Sequence, residues 1–286
     1  MSTWVWVDGV LSPAADGRVA ALDHGVTVGD GVFETCKVVD GAPFALTRHL
    51  ARLHRSSEII GLRLPWSDED LRAACDATIG AATDDPANAT SGVQRLRITV
   101  TGGPGPLGSD RSDVPPTLVI AAGPGAPWPA TTAVATVPWT RNERSAVAGA
   151  KTTSYAENVV ALAEAHRQGA SEALLANTVG ILSEGTGSNV FLEVDGVLCT
   201  PSLSTGCLAG VTRALVCELV PVEERDDLTL ADLARTSEAF LTSSTRDIHP
   251  IEVVDGRALD RPAPGPLTTA AITALRDLQA DTLDPV

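Results

Sequence analysis

Lys151, in the segment GAKTTSYAENV, is one of only two lysines in this 286-residue chain, the other being Lys37. Three small residues at 148–150 precede it and would let another group approach the backbone. A lysine amine in apolar surroundings loses its proton more readily, and the neutral amine can form a Schiff base with an aldehyde. Residue type alone also allows an ordinary surface lysine, whose stem lies along apolar surface.

Later segments carry an acid and groups that bind phosphate. Glu184, in LSEGTGSNVFL, follows a predicted strand beside a tight turn, where its carboxylate could bond a protonated pyridine nitrogen. Val211 and Thr212 open an apolar helix whose N-terminal N–H groups could bind phosphate. Ser243 and Ser244, in FLTSSTRDIHPI, add hydroxyls and amides after a strand. Taken singly, these residues also fit a turn acid, a helix N-cap and an ST-turn.

The glycine pattern from Gly103 to Gly108 does not indicate a dinucleotide site. It matches G-x-G-x-x-G after a strand, but a Rossmann loop must run into a helix. Two prolines within the pattern and the Ser-Asp-Arg that follows argue against a helix there. We interpret 102–108 as an extended active-site or interface loop.

Composition excludes several classes of function. The net charge of −15 repels phosphate backbones and anionic membranes, and no basic stripe offsets it, so we expect no nucleic-acid or membrane partner. No apolar run approaches the roughly 18 residues of a membrane span. The cysteines are odd in number, and neither they nor the histidines show metal-site spacing, so we predict reduced thiols in a cytoplasmic protein without a metal.

Hydrophobic patterning predicts an α+β domain over 1–125, a Pro/Gly-rich linker over 126–132 and a second domain over 133–286. Helices are expected over 46–62, 67–82 and 155–168 and from about 210 and 266, the second opening with a Ser67–Asp70 capping box. Strands are expected over 4–7, 10–11, 32–39, 95–101, 117–123, 133–137, 172–176, 180–183, 189–194, 198–200, 238–242 and 251–254.

In their order and spacing these segments resemble the fold-type IV pyridoxal 5′-phosphate enzymes, the class IV aminotransferase family. The resemblance covers nearly the whole chain, from LDHGVTVGDGVFETCKV through RHLARLHRSSEIIGL to FLTSSTRDIHPI. It implies a two-domain α+β or α/β fold, with a small N-terminal α/β sandwich domain and a larger C-terminal domain that is β-barrel-like with helices. It also implies pyridoxal 5′-phosphate as cofactor and a homodimer with active sites near the interface.

The resemblance assigns roles residue by residue. Lys151 matches the Schiff-base lysine, and Glu184 matches the acid on the pyridine nitrogen. Tyr155 matches a tyrosine that bonds the ring oxygen in branched-chain enzymes, although only across a one-residue gap. The other implied cofactor contacts are Leu208 against the ring and, at the phosphate, Arg52 in LARLHRS, Val211, Thr212, Ser243 and Ser244.

The implied reaction is ping-pong transamination between an amino acid and a 2-oxo acid. The spacing from Lys151 to EAHRQG fits D-amino-acid transaminases and 4-amino-4-deoxychorismate lyases, whereas branched-chain enzymes are one residue longer here. We therefore expect a D-amino-acid transaminase. The alternatives are the lyase, which eliminates pyruvate to give 4-aminobenzoate, and then a branched-chain or R-amine transaminase.

The chain departs from the D-amino-acid branch where the substrate carboxylate binds. The Arg-x-His pair that follows the strand equivalent to RLRITVT is absent, and Phe33 stands where a tyrosine is often found. Carboxylate recognition must therefore use other residues. The candidate substrate contacts, left unranked, are Phe33, Lys37, Arg97, Arg111, Thr245 and Arg246.

Overall fold

The computed structural model describes residues 2–286 and divides into two compact units. The first unit is the chain through Pro127 with Ala150–Tyr155 and Thr282–Val286, and the second is Trp128–Gly149 with Ala156–Asp281. Lys151 therefore packs with the first unit, although it follows the predicted linker in sequence. The domain limits given above remain a prediction from composition.

The first unit is built from an antiparallel sheet and three helices. Its strands are β1 (Trp4–Val7), β2 (Val10–Pro13), β3 (Gly31–Val39), β4 (Ala42–Pro43), β5 (Arg95–Thr101) and β6 (Thr117–Gly123), and its helices are α1 (His24–Thr27), α2 (Leu46–Ile59) and α3 (Asp68–Asp84). The strand order is β2-β1-β6-β5-β3-β4. Only a 3-10 turn at Pro86–Asn88 separates α3 from the chain leading to β5.

Alternation along the strands decides which face of this sheet is covered. In β5, Leu96 and Ile98 are fully buried in a core shared with α2 and α3, whereas Arg97 between them is exposed. The predicted capping box opens α3, because Ser67 Oγ accepts from the Asp70 N–H at 3.1 Å and the Asp70 carboxylate accepts from the Ser67 N–H at 2.9 Å. The opposite sheet face carries charged and polar side chains beside the aromatic Phe33, which pairs with Thr99.

The second unit is a nine-stranded mixed sheet with helices. Its elements are β7 (Thr132–Arg141), α4 (Ala156–Arg167), β8 (Glu172–Asn177), β9 (Leu182–Gly185), β10 (Asn189–Val194), β11 (Val197–Pro201), α5 (Val211–Leu219), β12 (Glu223–Arg225), α6 (Leu230–Arg235), β13 (Ala239–Ser243), β14 (Asp247–Val254), β15 (Arg257–Ala258) and α7 (Pro266–Asp281). The order is β12-β11-β10-β13-β14-β7-β8-β9, with β15 on β14. β7 runs parallel to both β8 and β14.

The second sheet must curl. β9 ends the strand path and β10 lies five strands away along it, which would be about 24 Å in a flat sheet. Only residues 186–188 join β9 to β10, and so short a link spans no more than about 14 Å. The Gly185 N–H donates to the Ser188 carbonyl at 2.7 Å, which closes this link. The sheet is therefore a half-barrel, as expected for the C-terminal domain.

The predicted fold class is confirmed, and most predicted elements are present. β9 begins at Leu182 instead of residue 180, because Asn177 Oδ1 accepts from the N–H groups of Val179 and Ile181 and makes a turn there. Five elements were not predicted: α1, α6, β4, β12 and β15, each too short to show a periodic pattern. In the described part of the chain, no helix has the length and hydropathy needed to cross a membrane.

Candidate active site

The Lys151 backbone is anchored on two sides within the first unit. Its carbonyl accepts from the Phe33 N–H of β3 at 2.9 Å, and its own N–H donates to Ser56 Oγ of α2 at 3.0 Å. An isolated bridge between Thr152 and Val32 continues the pairing with β3. Segment 150–155 is thus held on a strand and a helix, and the partly buried lysine projects from a fixed backbone.

Two aromatic rings surround the Lys151 amine. Its Nζ lies 4.4 Å from the centroid of the Phe33 ring and 5.7 Å from that of Tyr155. The two rings meet edge to face, with centroids 5.2 Å apart. The guanidinium carbon of Arg97 lies 3.7 Å from the Phe33 centroid. Phe33, Tyr155, Arg97 and Lys151, all predicted from the sequence, therefore meet in one cluster.

Arg52 lies in a buried ion-pair network that sequence reasoning did not find. The Glu34 carboxylate accepts from Arg52 Nε at 2.8 Å and Nη2 at 2.7 Å, and from His49 Nδ1 at 2.6 Å. All three side chains are at most 4% exposed. The available signal was an acid within the apolar strand β3 and a histidine three residues before Arg52, hence on the same face of α2.

The electrostatics of this network follow from burial and charge. Burial would raise the pKa of Glu34, but Arg52 and His49 outweigh it and hold that pKa well below its usual range. Burial lowers the pKa of His49 despite Glu34, so we assign a neutral imidazole that donates from Nδ1. Glu34 thus balances the Arg52 charge within the buried network.

The remaining first-unit substrate candidates differ in their surroundings. Arg111 is fully engaged, since it binds the Asp30 carboxylate at 2.6 and 2.7 Å and donates to the carbonyls of Ile60 and Gly61. These bonds tie the long loop before β6 to the rest of the unit. Lys37 follows Phe33 by four residues in β3, so both side chains lie on the same face of the strand, and Lys37 is partly buried.

In the second unit Glu184 lies within β9, and polar groups surround its carboxylate. Oε2 accepts from the Leu208 N–H at 2.9 Å. Arg141 Nε lies 2.9 Å from Oε1, close enough for an ion pair although its N–H is not aligned with the oxygen. Arg141 Nη1 also donates to Asn158 Oδ1 at 3.1 Å, and Asn158 Nδ2 donates to the Thr186 carbonyl at 2.5 Å. Sequence reasoning missed Arg141 and Asn158.

The start of α5 has the features of an anion site. Its N-cap is Gly210, which has no side chain to bond the first N–H groups, at Val211 and Thr212. A Cβ on Gly210 would lie 2.0 Å from Asn189 Oδ1, so any larger residue would displace the Asn189 side chain. Asn189 Nδ2 donates to the Leu208 carbonyl at 2.9 Å, which fixes the approach to the helix.

Ser243 and Ser244 lie at the end of β13, where the chain turns. The Arg246 N–H donates to the carbonyl and to Oγ of Ser243, both at 3.2 Å. The hydroxyl of Thr242, just before this turn, is buried and has no hydrogen-bond partner among residues 2–286. A buried hydroxyl without a partner is costly, so this hydroxyl is an unsatisfied polar group beside the turn. The second unit's residues therefore fit pyridoxal 5′-phosphate.

The two last substrate candidates, Thr245 and Arg246, lie in this turn, and the Arg246 side chain is part of a buried network. Arg246 Nη2 lies 3.2 Å from Glu172 Oε2 and donates to the Ser171 carbonyl at 3.3 Å. Its guanidinium carbon lies 4.0 Å from the centroid of the Trp128 ring. Trp128 Nε1 donates to the Thr245 carbonyl at 3.0 Å. These contacts give Arg246 a role in packing this turn.

Comparisons with known proteins agree with this geometry. The family profile described as amino-transferase class IV matches residues 31–254. The chain is 30% identical to the branched-chain-amino-acid aminotransferase of Pseudomonas aeruginosa, covering 96% of this chain and 92% of that one. It is 31% identical to the D-alanine aminotransferase of Listeria innocua, covering 92% of each.

Solved structures agree as well. The branched-chain aminotransferase of Thermoproteus uzoniensis, determined with norvaline, superposes with a TM-score of 0.85 at 30% identity, over 98% of this chain and 96% of that one. A fold IV-transaminase of Curtobacterium pusillum gives 0.81 at 29% identity, over 96% and 99%. The chain belongs to the class IV aminotransferase family. It has the fold-type IV architecture, and its cofactor is pyridoxal 5′-phosphate.

Proposed function

We propose that this aminotransferase exchanges the amino group between a D-amino acid and a 2-oxo acid. The observation that carries the proposal is the Phe33 ring, which has the Arg97 guanidinium and the Lys151 amine against it. An amino-acid substrate needs a cation that binds its carboxylate. In this proposal that cation lies about one residue's width from the Lys151 amine, which acts at the substrate Cα. An amine substrate without a carboxylate would leave the Arg97 charge without an anion, since its protein contacts are the Thr99 hydroxyl and the Phe33 ring, and this disfavours the R-amine alternative.

The chain's own groups suit the steps of transamination. When bound, the cofactor supplies an electron sink for the bond broken at the substrate Cα. In the first unit, Lys151 is the proposed point of covalent attachment and the base that moves the Cα proton. In the second unit, Glu184 is the proposed partner of the pyridine nitrogen, and the α5 N-terminus with Ser243 and Ser244 is the proposed phosphate site.

The choice of a D-amino acid rests on sequence. The spacing from Lys151 to EAHRQG fits D-amino-acid transaminases, as it also fits 4-amino-4-deoxychorismate lyases, and the Listeria innocua D-alanine aminotransferase is among the relatives. Branched-chain L-amino acids are the second candidate. The contact between the Tyr155 and Phe33 rings beside Lys151 favours them, because the tyrosine matches one of the branched-chain enzymes.

Half-reactions separate these substrates. The protein reconstituted with the cofactor is mixed with D-alanine, D-glutamate, L-leucine or L-valine, and its visible absorption is followed. We expect the D-amino acids to bleach the visible band and 2-oxoglutarate to restore it. Bleaching by the branched-chain L-amino acids alone would refute the D-amino-acid proposal. Release of pyruvate from 4-amino-4-deoxychorismate without loss of the band would select the lyase.

We further propose a cytoplasmic homodimer with the 102–108 loop at its interface. All five cysteines are free thiols, as expected in a reducing compartment. Leu107, at the tip of that loop, is 80% exposed, which suits an apolar contact with a second copy. Sedimentation equilibrium tests the assembly, and a monomer at all concentrations would exclude it.

A further inference from the structure

The Glu172 carboxylate organises the turn that follows Glu184. It accepts from the Thr186 N–H at 3.0 Å, from Thr186 Oγ1, and from Ser188 Oγ at 3.1 Å. Glu172 is 1% exposed, and a Cβ on Gly185 would lie 3.1 Å from its Cγ. The turn therefore wraps closely around this carboxylate, and its position is set by Glu172.

Arg246 connects the same carboxylate to the other turn. Its side chain is 8% exposed and lies 3.2 Å from Glu172 Oε2, while its backbone N–H holds Ser243. Trp128 covers the guanidinium and bonds the Thr245 carbonyl, so side chain and backbone are fixed together. A shift of the guanidinium would therefore move the turn that carries Ser243.

The first turn connects back to Glu184 by two routes. One is covalent, since Thr186 lies two residues after Glu184 at the end of β9. The other runs through Asn158, which bonds the Thr186 carbonyl and Arg141, whose Nε lies beside the Glu184 carboxylate. A continuous set of buried polar contacts in the second unit thus runs from Glu184 to Ser243.

We propose that the Glu172–Arg246 ion pair is a positioning device that fixes the separation between Glu184 and the Ser243–Ser244 turn. This inference rests on the proposed roles of those residues as partners of the ring nitrogen and the phosphate. Neither Glu172 nor Arg246 touches the cofactor in this scheme. Their removal would let the two cofactor contacts move independently, because the Glu172–Arg246 pair is the side-chain link between the two turns.

The test measures cofactor binding without substrate, so it does not depend on which amino acid is used. Apoprotein is titrated with pyridoxal 5′-phosphate for wild type, Glu172→Gln, Arg246→Met and the double variant. The readouts are Kd, the visible absorption maximum and the ³¹P resonance of the bound phosphate. Arg261→Met is the matched control, since it breaks a second-unit ion pair to Glu238, 3.1 Å long, outside the network.

If the Glu172–Arg246 ion pair couples Glu184 to the Ser243–Ser244 turn, the variants give a specific set of results. Each single substitution raises Kd about tenfold, and the double variant raises it no further, because both remove one interaction. Arg246→Met shifts the visible maximum, and Glu172→Gln shifts the ³¹P resonance, each at the far end of the network. Arg261→Met changes none of the three readouts.

Other results overturn the proposal. If the variants keep Kd within twofold of wild type and leave the visible maximum and the ³¹P resonance unchanged, and only the melting temperature of the apoprotein falls, the ion pair is purely structural. Trp128→Phe keeps the ring but loses the bond to Thr245, so it tests the link if Arg246→Met fails to fold. An unchanged spectrum for Glu184→Gln would remove the role of Glu184 and this inference with it. If the spectrum of Glu184→Gln changes but the Glu172 and Arg246 variants behave as wild type, Glu184 keeps its role and only this inference is removed.

Discussion

Replacing Glu34 by glutamine tests whether the buried network around Arg52 is an ion pair that the fold depends on. The carboxylate is fully buried and accepts three hydrogen bonds, two from Arg52 and one from His49. Glutamine has nearly the same shape, but it is neutral and its amide points N–H groups at other donors. The change therefore removes the charge and leaves the packing almost intact.

The expected cost follows from the burial of Arg52, which is 4% exposed. Its guanidinium would remain in the core without a carboxylate, and breaking a buried pair from one side costs about 3–5 kcal/mol. Replacing both partners, in Glu34→Gln with Arg52→Met, removes the stranded charge as well. We therefore expect the double variant to be more stable than Glu34→Gln alone, despite its additional substitution.

The effect also has a predictable pH dependence. The pKa of Glu34 is depressed in the folded protein, so its stabilisation is complete above the unfolded value of about 4.3 and is lost as pH falls below it. The difference in free energy of unfolding between wild type and Glu34→Gln should narrow below about pH 4, by up to about 1.4 kcal/mol per pH unit. Between pH 8 and pH 5 the titration of Glu34 should not change this difference, because Glu34 is ionised in both the folded and the unfolded protein.

Urea unfolding of the apoprotein provides the measurement, followed by circular dichroism and by tryptophan fluorescence to check that the transitions coincide. Asp227→Asn is the control, because it removes an exposed carboxylate from Arg225 and should leave the midpoint nearly unchanged. A loss below about 1 kcal/mol for Glu34→Gln at pH 7, or a double variant less stable than the single one, would refute the reasoning.

Three other substitutions test the site directly. Lys151→Arg keeps the positive charge but removes the primary amine, so we expect no visible band after addition of the cofactor, and a retained band would contradict the assignment of Lys151. Arg97→Met should raise KM for amino and oxo acids about tenfold or more, the value of a charged hydrogen bond, and should leave the cofactor spectrum unchanged. An equal loss of activity with an amine that has no carboxylate would count against carboxylate binding by Arg97. Gly210→Ala should weaken cofactor binding about tenfold, because its Cβ would meet Asn189 Oδ1 at 2.0 Å, whereas Gly80→Ala in α3, with open space around it, should not.

Sequence reasoning succeeded where the signal lay within one segment. The Ser67–Asp70 capping box is a four-residue pattern with a local geometry, and the structure shows it as predicted. Lys151 attracted attention because arginine replaces almost every other lysine and cannot replace its chemistry. The family resemblance, confirmed by the comparisons, depended on ordered segments of this kind. Local patterns and motif order therefore predicted the fold class and the family.

The partners of these residues could not be predicted in the same way. Glu34 and Arg52 are 18 positions apart, and Arg246 bonds a carbonyl 75 positions away. Such pairs exist only because helix packing and strand order bring distant segments together. Composition also argues against them, because Glu and Arg are expected at the surface unless they are paired. An acid inside an apolar strand indicates that some partner exists, but the helix that packs on the strand decides which one, here α2 for Glu34.

The arginines show how the structure changes the interpretation of residue type. Arg97, Arg111 and Arg246 were equivalent candidates for the substrate carboxylate when only their charge was known. Arg111 donates from every nitrogen to Asp30 and two carbonyls, and Arg246 is buried against Glu172. A guanidinium matched by a carboxylate at that distance attracts a second anion weakly, because the pair is nearly neutral outside. Arg97 instead stacks on Phe33, and it is therefore the arginine whose charge we expect a substrate carboxylate to balance.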